Sequence, residues 1–187
     1  MVRRLRRRAK GDVVAMDKKI FLAASPEDGV VRRVTKPLPF VKTAEVPCGM
    51  NALRAWATSD EARKIFGETA SLAHDLAEKT ACDLREEALQ CLHFVKKSGK
   101  LVSGFETIKP LLKKAGKVAA LLQACDSSPR ERRRLAGQRS AEAVGCFTSA
   151  ELGTAVGRPS CCHVAVLRGG ENLWRERYEL YKTYIDG

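Results

Sequence analysis

The spacing of apolar residues changes repeatedly along the second half of the chain and predicts alternating helices and strands. Apolar residues three and four apart at 84–97 predict an amphipathic helix, and the continuous apolar run at 118–122 predicts a buried strand. The further helices are expected at 104–114, 129–134, 149–156 and 171–185, and the further strands before Ser103, at 141–147 and at 163–167. Strands separated by helices of this length predict an α/β sheet with helices on both faces.

The first half follows a different pattern. Strand-forming residues at 19–24 and 30–34 flank Asp28 and Gly29, which predicts a β-hairpin. Several prolines predict irregular backbone at 36–49. Helices are expected at 51–56, at 59–66, and from Thr69 or Ser71 through Glu78. The predicted organisation is a basic arm at 1–11, a small α+β domain at 12–83 and an α/β domain at 84–187.

Two helix starts have the same chemistry. Ser103 with Glu106, and Ser128 with Glu131, have the spacing of a capping box, in which both side chains bond to free backbone N–H groups. Gly104 lies just inside the first of these helices, where glycine costs about 1 kcal/mol relative to alanine. Either a tight turn from strand to helix requires it, or an anion such as phosphate approaches the backbone there.

Charge changes the picture further. The net charge is +12, which favours a polyanionic partner. Residues 1–10 hold six basic and no acidic side chains, residues 11–83 are about neutral, and residues 96–139 hold twelve basic and three acidic side chains. The arm is therefore either a solvated tail or a non-specific contact to phosphates.

Three segments of the second half resemble the bacterial branch of the kink-turn RNA-binding ribosomal-protein family, the L-seven-Ae and L-thirty-e type. They are Gly-Lys-Leu-Val-Ser-Gly-Phe-Glu at 99–106, Ala-Leu-Leu-Gln-Ala-Cys-Asp-Ser-Ser-Pro at 120–129, and Cys-Phe-Thr-Ser-Ala-Glu-Leu-Gly-Thr-Ala-Val-Gly-Arg-Pro at 146–159. The resemblance covers about 84–187. It implies a three-layer α-β-α sandwich with a mixed four-stranded sheet. It also implies that one strand-to-helix turn and one neighbouring loop hold sharply bent RNA.

The resemblance and the basic residues together define a candidate RNA site. Its predicted members are Lys97, Lys100, Ser103, Gly104, Phe105, Glu106, Lys109, Arg130, Arg133, Gly157, Arg158, Pro159 and Ser160. Phe105 is either a base-stacking ring or a core residue, and Glu106 either accepts from a base edge or caps its helix. The family often has a polar residue near Phe105, and its archaeal form has one more residue between the glycine and the lysine.

The preceding region is similar to the YlxR family. The carriers are Ala-Ser-Pro-Glu-Asp-Gly-Val-Val at 24–31, Lys-Ile-Phe at 64–66 and Asp-Leu-Ala at 75–77. The Arg-Cys opening and the Gly-Arg-Gly loop of that family are missing, and 42–50 occupies the place of the loop. The small domain is therefore expected to be a degenerate copy of that family.

Catalytic and metal-binding patterns are missing from the sequence. The histidines have no cysteine or carboxylate at metal-ligand spacing, the seven cysteines form no C-x-x-C pair, and nucleotide-binding or hydrolase motifs do not occur. We expect a protein that is not an enzyme, has no cofactor, no metal and no small-molecule substrate, and works in the reducing cytoplasm. The sequence has no apolar run long enough to span a bilayer and no signal peptide, so no membrane contact is expected.

The sequence thus predicts a non-enzymatic RNA-binding protein of the bacterial cytoplasm that recognises kink-turn-like or ribosomal RNA. Such a protein would take part in translation, with the ribosome as a candidate partner. Two alternatives stay open. The first is a protein-interaction adaptor that keeps the fold without specific RNA binding. The second is a regulatory factor that binds DNA or RNA non-specifically through its arm.

Overall fold

The computed structural model describes residues 18–25, 27, 30–37, 39, 41–67, 75–136 and 142–187. Three sequence predictions lie outside these residues. They concern the basic arm at 1–11, the Asp28 and Gly29 hairpin tip, and the helix start at Thr69 or Ser71.

The first part of the chain forms an antiparallel sheet of three strands. They are β1 (Lys19–Ala24), β2 (Val31–Val34) and β3 (Thr43–Pro47), in the order β2-β1-β3. The strands predicted at 19–24 and 30–34 are confirmed, but the prediction of irregular backbone at 36–49 is wrong where β3 forms. Pro47 is the last residue of an edge strand, a position where the missing N–H does not interrupt the ladder.

Two short helices follow this sheet, as predicted. They are α1 (Met50–Ala57) and α2 (Asp60–Phe66). The Ser59 hydroxyl accepts a hydrogen bond from the backbone N–H of Ala62 at 3.3 Å, which makes Ser59 the N-cap of α2. Gly67, at φ 85°, ends α2.

The third helix is longer than predicted. α3 runs without interruption from Leu76 to Lys97, so the predicted boundary at 83/84 lies inside a helix. Buried residues about one turn apart face the core along its whole length: Leu76, Ala77, Thr80, Leu84, Ala88, Leu92 and Val95. This spacing extends the helix backwards from Leu84, because each turn gains a buried side chain.

A second sheet contains β4 (Leu101–Ser103), β5 (Val118–Gln123), β6 (Glu142–Val144) and β7 (His163–Leu167), in the order β4-β7-β5-β6. β7 pairs antiparallel with β4 and β5, and β5 pairs parallel with β6. The mixed α/β class is confirmed. The strands predicted at 118–122 and 163–167 match β5 and β7, whereas the third strand is shorter than its predicted range of 141–147.

Apolar side chains cover both faces of this sheet. Ala120, Leu122, Val164 and Val166 belong to a cluster shared with α3, with α6 (Ser149–Val156) and with α7 (Glu171–Asp186). Val118, Leu121 and Ala165 belong to a second cluster with α4 (Phe105–Leu112) and α5 (Pro129–Ala136). Successive strand residues point to opposite faces, which separates Leu121 from Ala120 and Leu122. Val118 lies in the second cluster because a register shift between Val118 and Ala120 interrupts the alternation.

The aromatic residues of α7 belong to the core. Trp174, Tyr178, Tyr181 and Tyr184 are buried, and Trp174 stacks on Tyr178 with ring centroids 4.6 Å apart. This burial makes α7 a packing element rather than a platform on which bases could stack. Within the described ranges, no helix is both long and apolar enough to cross a membrane.

Candidate functional site

The turn from β4 to α4 is built on Gly104. Its φ of 99° lies in a region that glycine adopts without steric cost and other residues rarely adopt. Gly104 is the N-cap residue of α4, and no side chain accepts a capping hydrogen bond there. The predicted capping box of Ser103 and Glu106 is therefore wrong, because the helix begins one residue later than Ser103 requires. The backbone N–H of Gly104 donates to the carbonyl of His163 at 3.0 Å. This bond ties the turn to the first residue of β7.

The loop that precedes β7 is folded tightly against α6. Gly157 ends α6 in the left-handed conformation, and the N–H of Arg158 donates to the carbonyl of Gly153 at 2.8 Å. A Cβ atom on Gly153 would lie 2.6 Å from Ser160 Cα and 2.8 Å from the Arg158 oxygen. The loop 157–160 therefore owes its position to the missing side chain at Gly153.

Both segments meet at the start of β7. Ser160 is three residues before His163, whose carbonyl binds Gly104, so the chain between them spans at most about 11 Å. Gly157, Arg158, Pro159 and Ser160 are all exposed. The structure thus brings the predicted turn and the predicted loop together at one end of the sheet.

The start of α6 holds the loop from its other end. Thr148 and Glu151 form a complete capping box, and the carboxylate of Asp126 accepts hydrogen bonds from the N–H and the hydroxyl of Ser149, both at 2.8 Å. The N–H of Cys161 donates to the carbonyl of Ser149. The N-cap of α6 is therefore Thr148.

Phe105 lies among cations on the other side of the turn. The Arg134 guanidinium carbon is 5.1 Å from its ring centroid, and Lys109 Nζ is 5.9 Å away. The His163 ring meets Phe105 edge to face at 5.9 Å. The Phe105 ring is half-buried and packs against the core cluster of α4 and α5. It therefore serves the core with one face and lies beside two cations.

The predicted arginines of α5 are placed unequally. Arg130 and Arg133 are exposed, and Arg133 Nε donates to the carbonyl of Pro129 at 3.2 Å. Glu131 turns towards the sheet, where its Oε2 lies 3.3 Å from Nε2 of the buried His163. Because this carboxylate faces inward, the outer face of α5 is left to arginines.

Lys97 and Lys100 lie elsewhere. Lys100 precedes β4 and its carbonyl accepts from Leu167, at the far end of β7 from His163. The three residues of β4 lie between Lys100 and Gly104, which places the two backbones about 13 Å apart. Lys100 therefore does not flank the Gly104 turn, and Lys97, in the last turn of α3, lies three residues further back.

Sequence reasoning missed an ion pair that supports the site. Arg85 binds both carboxylate oxygens of Glu151 at 2.6 and 2.7 Å, and it donates to the Tyr181 hydroxyl and to the carbonyl of Cys146. These bonds lower the pKa of Glu151 to about 2. The two residues are 66 positions apart in the chain, so no local sequence pattern predicts their contact.

A second missed contact joins α3 to the loop. Lys96 Nζ donates to the carbonyl of Val156 at 2.6 Å, beside the Gly157 that ends α6. The cation satisfies a helix C-terminal carbonyl, where positive charge is favoured by the helix dipole. Lys96 therefore fixes the point where the loop 157–160 leaves α6.

An apolar groove of about 440 Å³ lies between α3 and α6. Its lining includes Leu89, His93, Phe94 and Ala155, and Phe94 is 57% exposed. The rings of His93 and Phe94 lie edge to face with their centroids 6.4 Å apart, and both residues line the groove.

The described part of the chain contains no group of three or more histidine, cysteine or acidic residues that could hold a metal ion. Burial raises the pKa of the Cys146 thiol to about 11, which keeps it protonated at neutral pH. Cys161 is buried and its neighbour Cys162 is exposed.

No known protein family and no curated protein matches the chain. Distant structural neighbours include a protein of unknown function from Bacillus halodurans, with 19% identity and a TM-score of 0.43 over 51% of this chain and 97% of that one. Another is a 15.5 kD RNA binding protein of Giardia lamblia, with 15% identity and a TM-score of 0.42 over 54% of this chain and 86% of that one.

Proposed function

We propose that the chain is a non-enzymatic RNA-binding protein that holds bent RNA against one end of its second sheet. We call this end the Gly104 surface. It comprises Gly104, Phe105, Glu106, Lys109, Arg130, Arg133, Arg134 and the loop 157–160. The observation that carries the proposal is the hydrogen bond from Gly104 to His163, because it ties the turn that the resemblance assigns to RNA to the strand that follows the loop 157–160.

The chemistry of the Gly104 surface suits a phosphodiester backbone. Exposed arginines on α5 and in the loop supply planar donors for phosphate oxygens. The exposed Glu106 carboxylate accepts hydrogen bonds from amino groups on base edges. The half-buried Phe105 offers the remaining part of its ring for stacking. In this proposal the cations supply affinity for the phosphates, and Glu106 and Phe105 select among RNA structures.

The finer proposal follows the sequence resemblance. The two core clusters on opposite faces of the second sheet support a three-layer α-β-α sandwich. On this proposal, the RNA is kink-turn-like or ribosomal, the protein acts in translation, and the first sheet with α1 and α2 is a degenerate YlxR-like domain.

Gel-shift titration tests this function. The wild-type protein is titrated with a kink-turn RNA and with a straight RNA duplex of equal length in near-physiological salt. We expect tighter binding of the kink-turn RNA, and loss of that preference in Lys109→Ala and in Arg158→Ala, which lie on the two sides of the Gly104–His163 bond. Lys64→Ala on α2 removes the same charge away from the surface and should keep the preference. Equal binding of both RNAs by the wild type would contradict the proposal.

A protein-interaction role is the second candidate, and the groove between α3 and α6 favours it. A phenylalanine as exposed as Phe94 beside an apolar groove is typical of a surface that buries against a partner. The salt dependence separates the candidates, because RNA affinity falls steeply with salt and apolar association does not.

A further inference from the structure

A second group of cations gathers at the opposite end of the same sheet. Three turns meet there, because the N–H of Leu167 donates to the carbonyl of Lys100 at 2.8 Å and the next N–H, of Arg168, donates to the carbonyl of Lys117 at 2.9 Å. Arg168 Nε also donates to the carbonyl of Gly116 at 2.8 Å. We call this end the Lys100 surface. It comprises Lys100, Lys113, Lys114, Lys117 and Arg168.

The cations of the Lys100 surface are close together and face solvent. Lys100 and Lys117 lie on either side of β7, so two strand spacings of about 5 Å place their backbones about 10 Å apart. All five side chains are exposed. Crowded like charges raise the local positive potential, which attracts a polyanion.

Carboxylates do little to offset these charges. Across the described residues, no salt bridge includes Lys100, Lys113, Lys114 or Lys117. Glu171 accepts a hydrogen bond from the N–H of Gly169, and its charge acts on Arg168. The lysines are therefore available to an external anion.

The distance between the two surfaces matches a continuous RNA helix. β7 runs from His163 at the Gly104 surface to Leu167 at the Lys100 surface, which is about 14 Å. That is the axial length of roughly five base pairs of an A-form RNA helix, which rises about 2.8 Å per base pair, so a stem of four base pairs ends short of the Lys100 surface. A duplex stem leaving the Gly104 surface along the sheet therefore reaches the Lys100 surface within its first turn.

We propose that the Lys100 surface binds the phosphodiester backbone of the duplex stem that flanks the bent RNA segment. The inference rests on the proposed function, since it assigns the stem of that same RNA to a second contact. It predicts that affinity depends on stem length as well as on the bend.

The test uses the full-length protein and two kink-turn RNAs with stems of about 4 and about 12 base pairs, the longer of which covers more than the 14 Å span. We expect the wild type to bind the long-stem RNA at least ten times more tightly at low salt. We also expect its affinity to fall more steeply with salt, by about 0.9 in the log–log slope per additional phosphate contact. The triple variant Lys113→Gln, Lys114→Gln, Lys117→Gln should lose this gain and bind the short-stem RNA as the wild type does.

Unchanged binding of the short-stem RNA shows that the triple variant is folded. The matched control is Lys42→Gln, Lys64→Gln, Lys182→Gln, which removes the same charge from exposed lysines elsewhere and should keep the gain. Equal affinity of the wild type for both stems would overturn the inference and leave bent-RNA binding intact. If the Lys113, Lys114, Lys117 variant still bound the long-stem RNA more tightly than the short-stem RNA, the inference would also be overturned. It would be overturned as well if this variant lost binding to phosphatidylserine vesicles while its affinity for both RNAs stayed that of the wild type. Absence of bent-RNA binding in the wild type would instead remove the proposed function itself.

Discussion

The backbone N–H of Gly104 points at the carbonyl oxygen of His163, 3.0 Å away, and both groups belong to segments more than fifty residues apart in the chain. Gly104 can do this because its φ of 99° and ψ of 139° lie in a region essentially reserved for glycine. The direction of the β4–α4 turn therefore depends on a residue without a side chain.

Gly104→Ala should destabilise the protein and weaken binding of bent RNA together. A Cβ atom would meet only ordinary contact, with Thr107 Oγ1 at 3.8 Å, so the cost is backbone strain of about 1 to 3 kcal/mol. Urea unfolding and gel shift measure the two effects. Gly67→Ala is the matched control, because Gly67 has φ 85° and ψ 165° at the end of α2. It should cost similar stability and leave RNA affinity unchanged; a loss of RNA affinity in this control would contradict a local role for Gly104.

Gly153→Ala should displace the loop 157–160. The added Cβ atom would lie 2.6 Å from Ser160 Cα and 2.7 Å from its nitrogen. Because both are backbone atoms, the clash can be relieved only by moving the loop. We expect a loss of about 1 to 3 kcal/mol from overpacking, together with weaker binding of bent RNA. Gly145→Ala, whose Cβ atom would have its nearest contact at 3.8 Å, should change neither quantity. Bent-RNA affinity that survives in Gly153→Ala at full strength would remove the loop from the site.

Phe105→Leu separates the two roles of Phe105. The substitution keeps an apolar side chain against the core of α4 and α5, so stability should fall by less than about 1.5 kcal/mol. It removes the ring that a base could stack on, which is worth about 1 to 3 kcal/mol of binding. Urea unfolding and RNA titration on the same preparation give both numbers. If the loss of binding free energy is no larger than the loss of unfolding free energy, Phe105 serves the core alone.

Acid should weaken the fold through the Arg85–Glu151 pair. The pKa of Glu151 is about 2 in the folded protein against an ordinary value of 4.5, so the unfolded chain holds the proton more tightly. The stabilisation is complete above pH 4.5 and is lost as the pH falls towards 2. Glu151→Gln should flatten the dependence of unfolding free energy on pH in this window. A slope in Glu151→Gln equal to that of the wild type would contradict this role of the pair.

The two tryptophans report on the two sheets. Trp56 on α1 and Trp174 on α7 belong to one continuous core cluster that α3 runs through. Trp174→Phe and Trp56→Phe each leave one fluorescent reporter. We expect the unfolding midpoint from fluorescence to coincide with that from far-UV circular dichroism in both variants, because one core unfolds in one step. An earlier transition at Trp56 would show that the predicted domain at 12–83 unfolds by itself.

Local chemistry in the sequence predicted most elements of the second half. The apolar run of β5, Pro129 at the start of α5 and the capping box at Thr148 all depend on neighbours a few residues away. β3 was missed because prolines around an edge strand look the same in sequence as prolines in a loop. The length of α3 was missed because Asp83 resembles a cap, although the buried spacing continues through it.

The geometry of the candidate site could not be predicted from the sequence. Lys100 was placed beside Gly104 because the two are close in sequence, but β4 is extended and carries them to opposite ends of the sheet. The Arg85–Glu151 and Lys96–Val156 contacts, and the pairing of β4 with β7, arise between segments about sixty residues apart. Such contacts depend on the whole fold and leave no local pattern.

The uninterrupted α3 also fixes the angular relation between the two halves of the protein. Arg33 of β2 pairs with Glu87 in its middle, and Lys96 near its end binds the carbonyl of Val156. One residue inserted between Glu87 and Lys96 would rotate everything after it by about 100° and advance it by about 1.5 Å. Either the first sheet or the loop 157–160 would then lose its partner on α3. Insertions and deletions in this helix should therefore be tolerated only in combinations that restore its phase.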